Sequence, residues 1–98
     1  MPGDNHPATI SLATTMDGSF AADLLSELKN ARGRALVIAA DRVVRPSTLG
    51  IQVLLSAAVT WRMDGQPFVI TATSTPFAEA IETLGLSPDH LPVEAVAP

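Results

Sequence analysis

A chain of 98 residues, 47% of them hydrophobic, suits one compact domain and leaves no room for a separate catalytic module. With no cysteine it can form no disulfide, thiolate metal centre or cysteine nucleophile, and nothing in it argues for an oxidising compartment, so a cytoplasmic location is expected. A net charge of −4, no tyrosine and 4% aromatic residues oppose both duplex and single-strand nucleic-acid binding, which need a basic face or stacking platforms.

Residues 1–7 read as a flexible N-terminus without the basic and apolar regions of a signal peptide, and residues 8–98 as a single domain. Ala8 to Met16 alternates apolar and polar residues, which suits a half-buried strand near a sheet edge. Asp17-Gly18 ends it, Ser19 is positioned to cap a first helix, and Phe20, Leu24, Leu25 and Leu28 share one face of that helix, which Arg32-Gly33 closes.

Ala35 to Ala40 is continuously apolar, the pattern of a central strand covered on both faces by helices. A second helix from about Ser47 to Met63 turns Ile51, Leu54, Leu55, Ala58 and Trp61 inward. It is interrupted by Gln52, Ser56 and Thr60 and is too short to span a bilayer, so no membrane insertion is expected. Pro67 to Ala72 reads as another buried strand. Thr75 as N-cap with Pro76 behind it starts a third helix burying Phe77, Ile81 and Leu84, and Leu91 to Val96 supplies a last edge strand. The order β-α-β-α-β-α-β predicts an α/β domain with a mixed, mostly parallel sheet packed against helices.

Candidate chemistry is sparse. No glycine-rich phosphate loop follows any strand, no Gly-x-Ser-x-Gly elbow presents a serine, and neither an Asp-x-Asp calcium loop nor a His-x-x-x-His pair occurs, so neither a catalytic site, a cofactor nor a metal is expected. His6 and His90 both read as solvated, and Glu79 with Glu82 as a solvated helix face. Five of the six basic residues, Lys29, Arg32, Arg34, Arg42 and Arg45, fall close together, either as ordinary solvated charge or as a phosphate or partner patch.

The segment from Asp41 to Gln52 carries most of the functional argument. Ser47 or Thr48 caps the second helix, and Arg42 and Arg45 stand near the same end. Two readings stand side by side. In one the hydroxyls are a cap alone; in the other the exposed N–H groups and positive helix end also make an anion or phosphorylation site.

Leu36-Val37-Ile38, Ser47-Thr48, Gln52-Val53-Leu54-Leu55-Ser56-Ala57-Ala58, Trp61, Asp64-Gly65, Phe77 and Leu84-Gly85-Leu86 together resemble a STAS domain, the fold of anti-sigma factor antagonists and of the cytoplasmic tails of sulfate transporters. The similarity runs from about Ala8 to Val96 and looks nearest to the small single-domain STAS proteins encoded with bacterial chemotaxis genes. The resemblance implies a non-catalytic regulatory module that docks on a histidine kinase or an anti-sigma-factor kinase. The surface it implies comprises Arg42, Arg45, Ser47, Thr48, Leu49, Gly50 and Gln52, with Thr48 or Ser47 as possible phosphoacceptor.

Two positions depart from the family pattern. Where the antagonists carry Asp-Ser-Ser-Gly-Leu with the second serine phosphorylated, an ungapped alignment on Gly50-Ile51 puts Leu49 in the acceptor position, and one inserted residue would give that role to Thr48. The aspartate common at the end of the central strand is Ala39 here, with Asp41 two residues on. An alternative implied by the same family is an accessory subunit of a lipid or anion transport complex. A small hydrolase would require His90 to join a serine.

Overall fold

The computed structural model of the chain describes residues 7–87 and 90–93. Three strands, β1 (Ala8–Ser11), β2 (Leu36–Ala39) and β3 (Phe68–Thr71), alternate with three helices, α1 (Gly18–Ala31), α2 (Thr48–Met63) and α3 (Thr75–Thr83). The sheet order is β1-β2-β3 with both pairings parallel, and Ile10, Ile38 and Ile70 stand abreast in one row. Every strand pairing among the described residues is parallel, in keeping with the mostly parallel sheet expected. The apolar segment Ala35 to Ala40 does form the central strand.

Neighbouring parallel strands joined by right-handed crossovers in one direction carry their helices on the same face. Burial follows. Leu36, Ile38, Phe68, Ile70 and Ile10 are buried beneath the helices, while Thr9 and Ser11 are exposed and Val37, Ala39, Val69 and Thr71 half-buried on the other side. The expectation of a sheet covered on both faces is therefore corrected: among the described residues this is a two-layer domain. In β2 an uninterrupted Val/Ile/Leu run reports strand centrality, and the strands on either side partly shield Val37 on the open face.

The segment expected as a fourth strand begins beside β3, where the Ile70 amide donates to the Pro92 carbonyl at 2.8 Å and Ile70 and Val93 form a parallel bridge. Glu94 to Val96, and residues 1–6 of the expected flexible N-terminus, lie outside the described residues.

Local chemistry sets the helix starts, with two corrections. Asp17 caps α1 by accepting the Phe20 amide at 2.9 Å, and Ser19, the expected cap, donates its hydroxyl to the same carboxylate at 3.0 Å. A carboxylate accepts from both groups at once, so it displaces the hydroxyl from the cap. Ser74 rather than Thr75 caps α3, accepting from the Phe77 amide at 3.3 Å, because its own proton is donated to the Val43 carbonyl at 2.6 Å and that bond fixes the side chain at the helix start.

The buried stripe of α1 is Phe20, Ala21, Leu24, Leu28 and Ala31. Leu25, expected inside, is 47% exposed, and in α3 only Phe77 is buried, with Ile81 half-buried and Leu84 at the surface. On α2, Ile51, Leu54, Ala58 and Trp61 are buried as expected, and Leu55 is half-buried. Trp61 packs at a tilt against Phe68, with ring centroids 6.0 Å apart, and closes the core at the far end of α2.

Candidate docking surface at the start of the second helix

The link from β2 to α2 is held on two sides. After β1 the chain leaves the sheet, and the Thr14 carbonyl accepts the amides of Val44 and Arg45 at 2.8 and 3.0 Å while the Met16 amide donates to the Arg45 carbonyl at 2.9 Å. The strand expected to run to Met16 ends at Ser11, and beyond it the backbone of Thr14 and Met16 bonds to the loop before α2, with Thr15 and Arg45 forming an isolated parallel bridge. From the other side the Ser74 hydroxyl reaches the Val43 carbonyl, and Val43 itself is buried. A loop fixed in this way presents its remaining side chains without a large ordering cost on binding.

The exposed apolar residues here are Val44 in the loop and Leu49 in the first turn of α2. Val44 and Leu49 are 58% and 53% exposed, and Arg42 and Arg45 are exposed beside them in the chain with no ion pair among the described residues. Asp41 is exposed at the opening of the loop, and Ala39 lies half-buried on the open sheet face.

Ser47 is the N-cap of α2. Its side chain accepts the Gly50 amide at 3.0 Å, and its carbonyl accepts the Ile51 amide at 3.0 Å. Thr48, the first residue of the helix, is exposed, and no bond to its hydroxyl is made among the described residues. The two hydroxyls that the sequence treated alike thus differ: one is committed to the helix start and the other is not.

Gly50 points inward, and a Cβ there would meet the Met16 methyl, the Phe20 ring and the Ser47 hydroxyl. Its place is the close approach of α2 to the first turn of α1, beneath the exposed residues and not among them. Gln52, one residue on, is exposed.

Val44 is absent from the residues singled out by sequence, because a Val-Val pair before Arg45 reads as strand or core. Val43 turns in and Val44 turns out, with the backbone held by the Thr14 carbonyl on the Val44 amide and the Ser74 hydroxyl on the Val43 carbonyl. The basic residues, clustered between positions 29 and 45 of the sequence, separate in space. Arg42 and Arg45 lie at the start of α2, whereas Lys29 and Arg32 lie at the end of α1 beside the end of α2, where Arg32 pairs with Asp64 at 3.0 Å.

His90 does stand near a serine: its Nδ1 is 3.0 Å from the Ser87 hydroxyl and accepts the Ser87 amide at 3.2 Å. The His90 and Leu91 amides both donate to the Ser87 carbonyl, and His90 is exposed. The contact is the local geometry of residues three apart. No group of three or more metal-binding side chains gathers among the described residues, and no helix there is long and apolar enough to cross a membrane.

A parallel α/β layer whose second helix starts in a pinned, exposed loop is the architecture of a STAS-type regulatory or protein-interaction module. Residues 2–92 match the family model described as Mlab, STAS domain, and the chain belongs to that family. No curated protein and no solved structure matches it.

Proposed function

We propose that the chain acts by docking its β2–α2 loop and the first turn of α2 on a protein partner, and that it catalyses no reaction of its own. The observation that supports this reading is the pinned loop, which exposes Val44 between Arg42 and Arg45 in the chain and leads into the exposed Leu49 of the first turn of α2. Exposed apolar side chains on a preorganised backbone supply affinity, and flanking charges set orientation and partner choice. The partner we infer is an ATP-binding kinase of the histidine-kinase or anti-sigma-factor type, carrying acidic side chains opposite the two arginines, in bacterial chemotaxis or sigma-factor regulation.

In this reading Ser47 serves the helix and Thr48 is the residue through which a charge would act. A phosphate there would place about −1.5 to −2 charge units beside the exposed Leu49 in the first turn of α2. Leu49 in the ungapped acceptor position favours a protein that binds without any need for dephosphorylation. A second reading, an accessory subunit of a lipid or anion transport complex, draws on the Mlab description of the matching family. It uses the same surface on a different ATP-binding protein.

A photo-crosslinking amino acid at Leu49, with one at Glu82 on α3 as control, distinguishes these in cells of the source organism. Crosslinking of a kinase from Leu49 and not from Glu82 supports the first reading, and a transport ATPase supports the second. Products identical from both positions would remove the surface from consideration.

A further inference from the structure

We propose that the groove between α1 and α2 is a second docking site, which takes an amphipathic helix from a protein partner bearing one large apolar anchor and a carboxylate about one turn beyond it. The site does not rest on the reading above, because it opens along the middle and far end of α2, away from Ser47.

The two helices run in the same direction. Phe20 in the first turn of α1 lies against Gly50 in the first turn of α2, and Arg32, the C-cap of α1, pairs with Asp64, the C-cap of α2. Side by side, each offers a surface row at alternating steps of three and four: Leu25, Lys29 and Arg32 on α1, and Val53, Ser56 and Thr60 on α2. That spacing is the one by which a third helix seats its side chains between two others. Between the rows is a cavity of about 160 Å³ floored by Leu28, Ala57 and Trp61. Small-molecule pockets usually measure roughly 300 to 1,000 Å³, so this one suits a single protein side chain better than a metabolite.

Charge selects the partner. The groove is lined by Lys29 and Arg32 and by no carboxylate, in a chain of net charge −4. The cleft at the start of α3 carries Glu79 and Glu82, and that beside the first turns of α1 carries Asp17, Asp23 and Glu27. Arg32 is already neutralised by Asp64, whereas Lys29 is exposed and makes no ion pair among the described residues. The open half of Leu25 and the free ammonium of Lys29, one turn apart, therefore define an apolar anchor and an acidic contact on the incoming helix.

The test is selection of peptides from a displayed library of α-helices randomised on one face, followed by amide chemical-shift mapping and affinity measurement on the whole chain. The expected binders carry Leu, Ile, Met or Phe with Asp or Glu one turn on. They move the amides of Leu25, Lys29 and Ala57, and lose about tenfold or more in affinity for Leu25→Ser. Selection on Lys29→Glu should turn toward basic peptides. Both residues are exposed, so unchanged melting of the two variants confirms that folding is intact. The proposal is overturned if no binder is recovered, if binders ignore both substitutions, or if sedimentation shows the groove closed by a second copy of the chain.

Discussion

Trp61 Nε1 donates a 2.7 Å hydrogen bond to the Arg34 carbonyl, tying the last turn of α2 to the turn that leads into β2. The indole is buried, so one side chain both fills the core beneath the helix ends and fixes the height at which α2 crosses the sheet. Trp61→Phe keeps most of the apolar volume and removes the bond. We expect a loss of about 1 to 3 kcal/mol, seen as a melting temperature lower by roughly 5 to 15 °C for a domain of this size, in thermal denaturation followed by circular dichroism.

Gly50 marks the closest approach of α2 to the α1 start. Alanine there gains helix propensity but must displace the buried Met16 methyl and press on Phe20, so the two effects oppose. Gly50→Val adds two more methyl groups to the same gap, and overpacking of that kind costs about 1 to 3 kcal/mol. Urea denaturation should place the alanine variant near the parent and the valine variant clearly below it; a valine variant as stable as the parent would show that α2 moves away freely.

Thr73 is 5% exposed, and its hydroxyl has no hydrogen-bond partner among the described residues. Thr73→Val conserves the shape and removes the unsatisfied group, so it should stabilise the domain by about 1 kcal/mol in the same urea measurement. Thr73→Ser, which keeps the hydroxyl and loses the methyl, should destabilise it.

Asp17 is held below the ordinary aspartate value of about 3.9 by the Phe20 amide and then by the Ser19 hydroxyl, and Asp64 by its hydrogen bond to Arg32. Both carboxyls titrate lower in the folded than in the unfolded chain. Their stabilisation is complete above the unfolded value and fades as pH falls through the folded values. The groups are at the surface, so the acid limb is shallow. Asp17→Asn retains a cap and removes the titration, and a pH series below 5 should show a flatter stability loss than the parent, with little change at pH 7.

The architecture was legible in the sequence because its signals are long and redundant: the apolar run at Ala35 to Ala40 marks a central strand, and the Asp64-Gly65 stop bounds α2. The caps were less so. Ser19 and Asp17, or Ser74 and Thr75, are equivalent in a string of residue types, and the choice is made by partners distant in sequence, such as the Val43 carbonyl bound by Ser74. The candidate surface was legible at Arg42, Arg45, Ser47, Thr48 and Leu49 as a stretch of chain. That Val44 is exposed, that Gly50 turns inward and that Ser47 and not Thr48 is committed to the cap follow from packing and bonds made by Thr14 and Ser47.

Docking through Leu49 and its neighbours is tested most directly by the affinity of the crosslinked partner, once expressed, for the parent chain, Leu49→Glu, Thr48→Glu and Thr48→Ala, measured by titration calorimetry beside a melt of each variant. Leu49→Glu and Thr48→Glu should each weaken binding by about tenfold or more at unchanged melting temperature, since either puts a carboxylate into an apolar contact, while Thr48→Ala binds like the parent. Equal affinity for all four proteins would contradict docking at the start of α2.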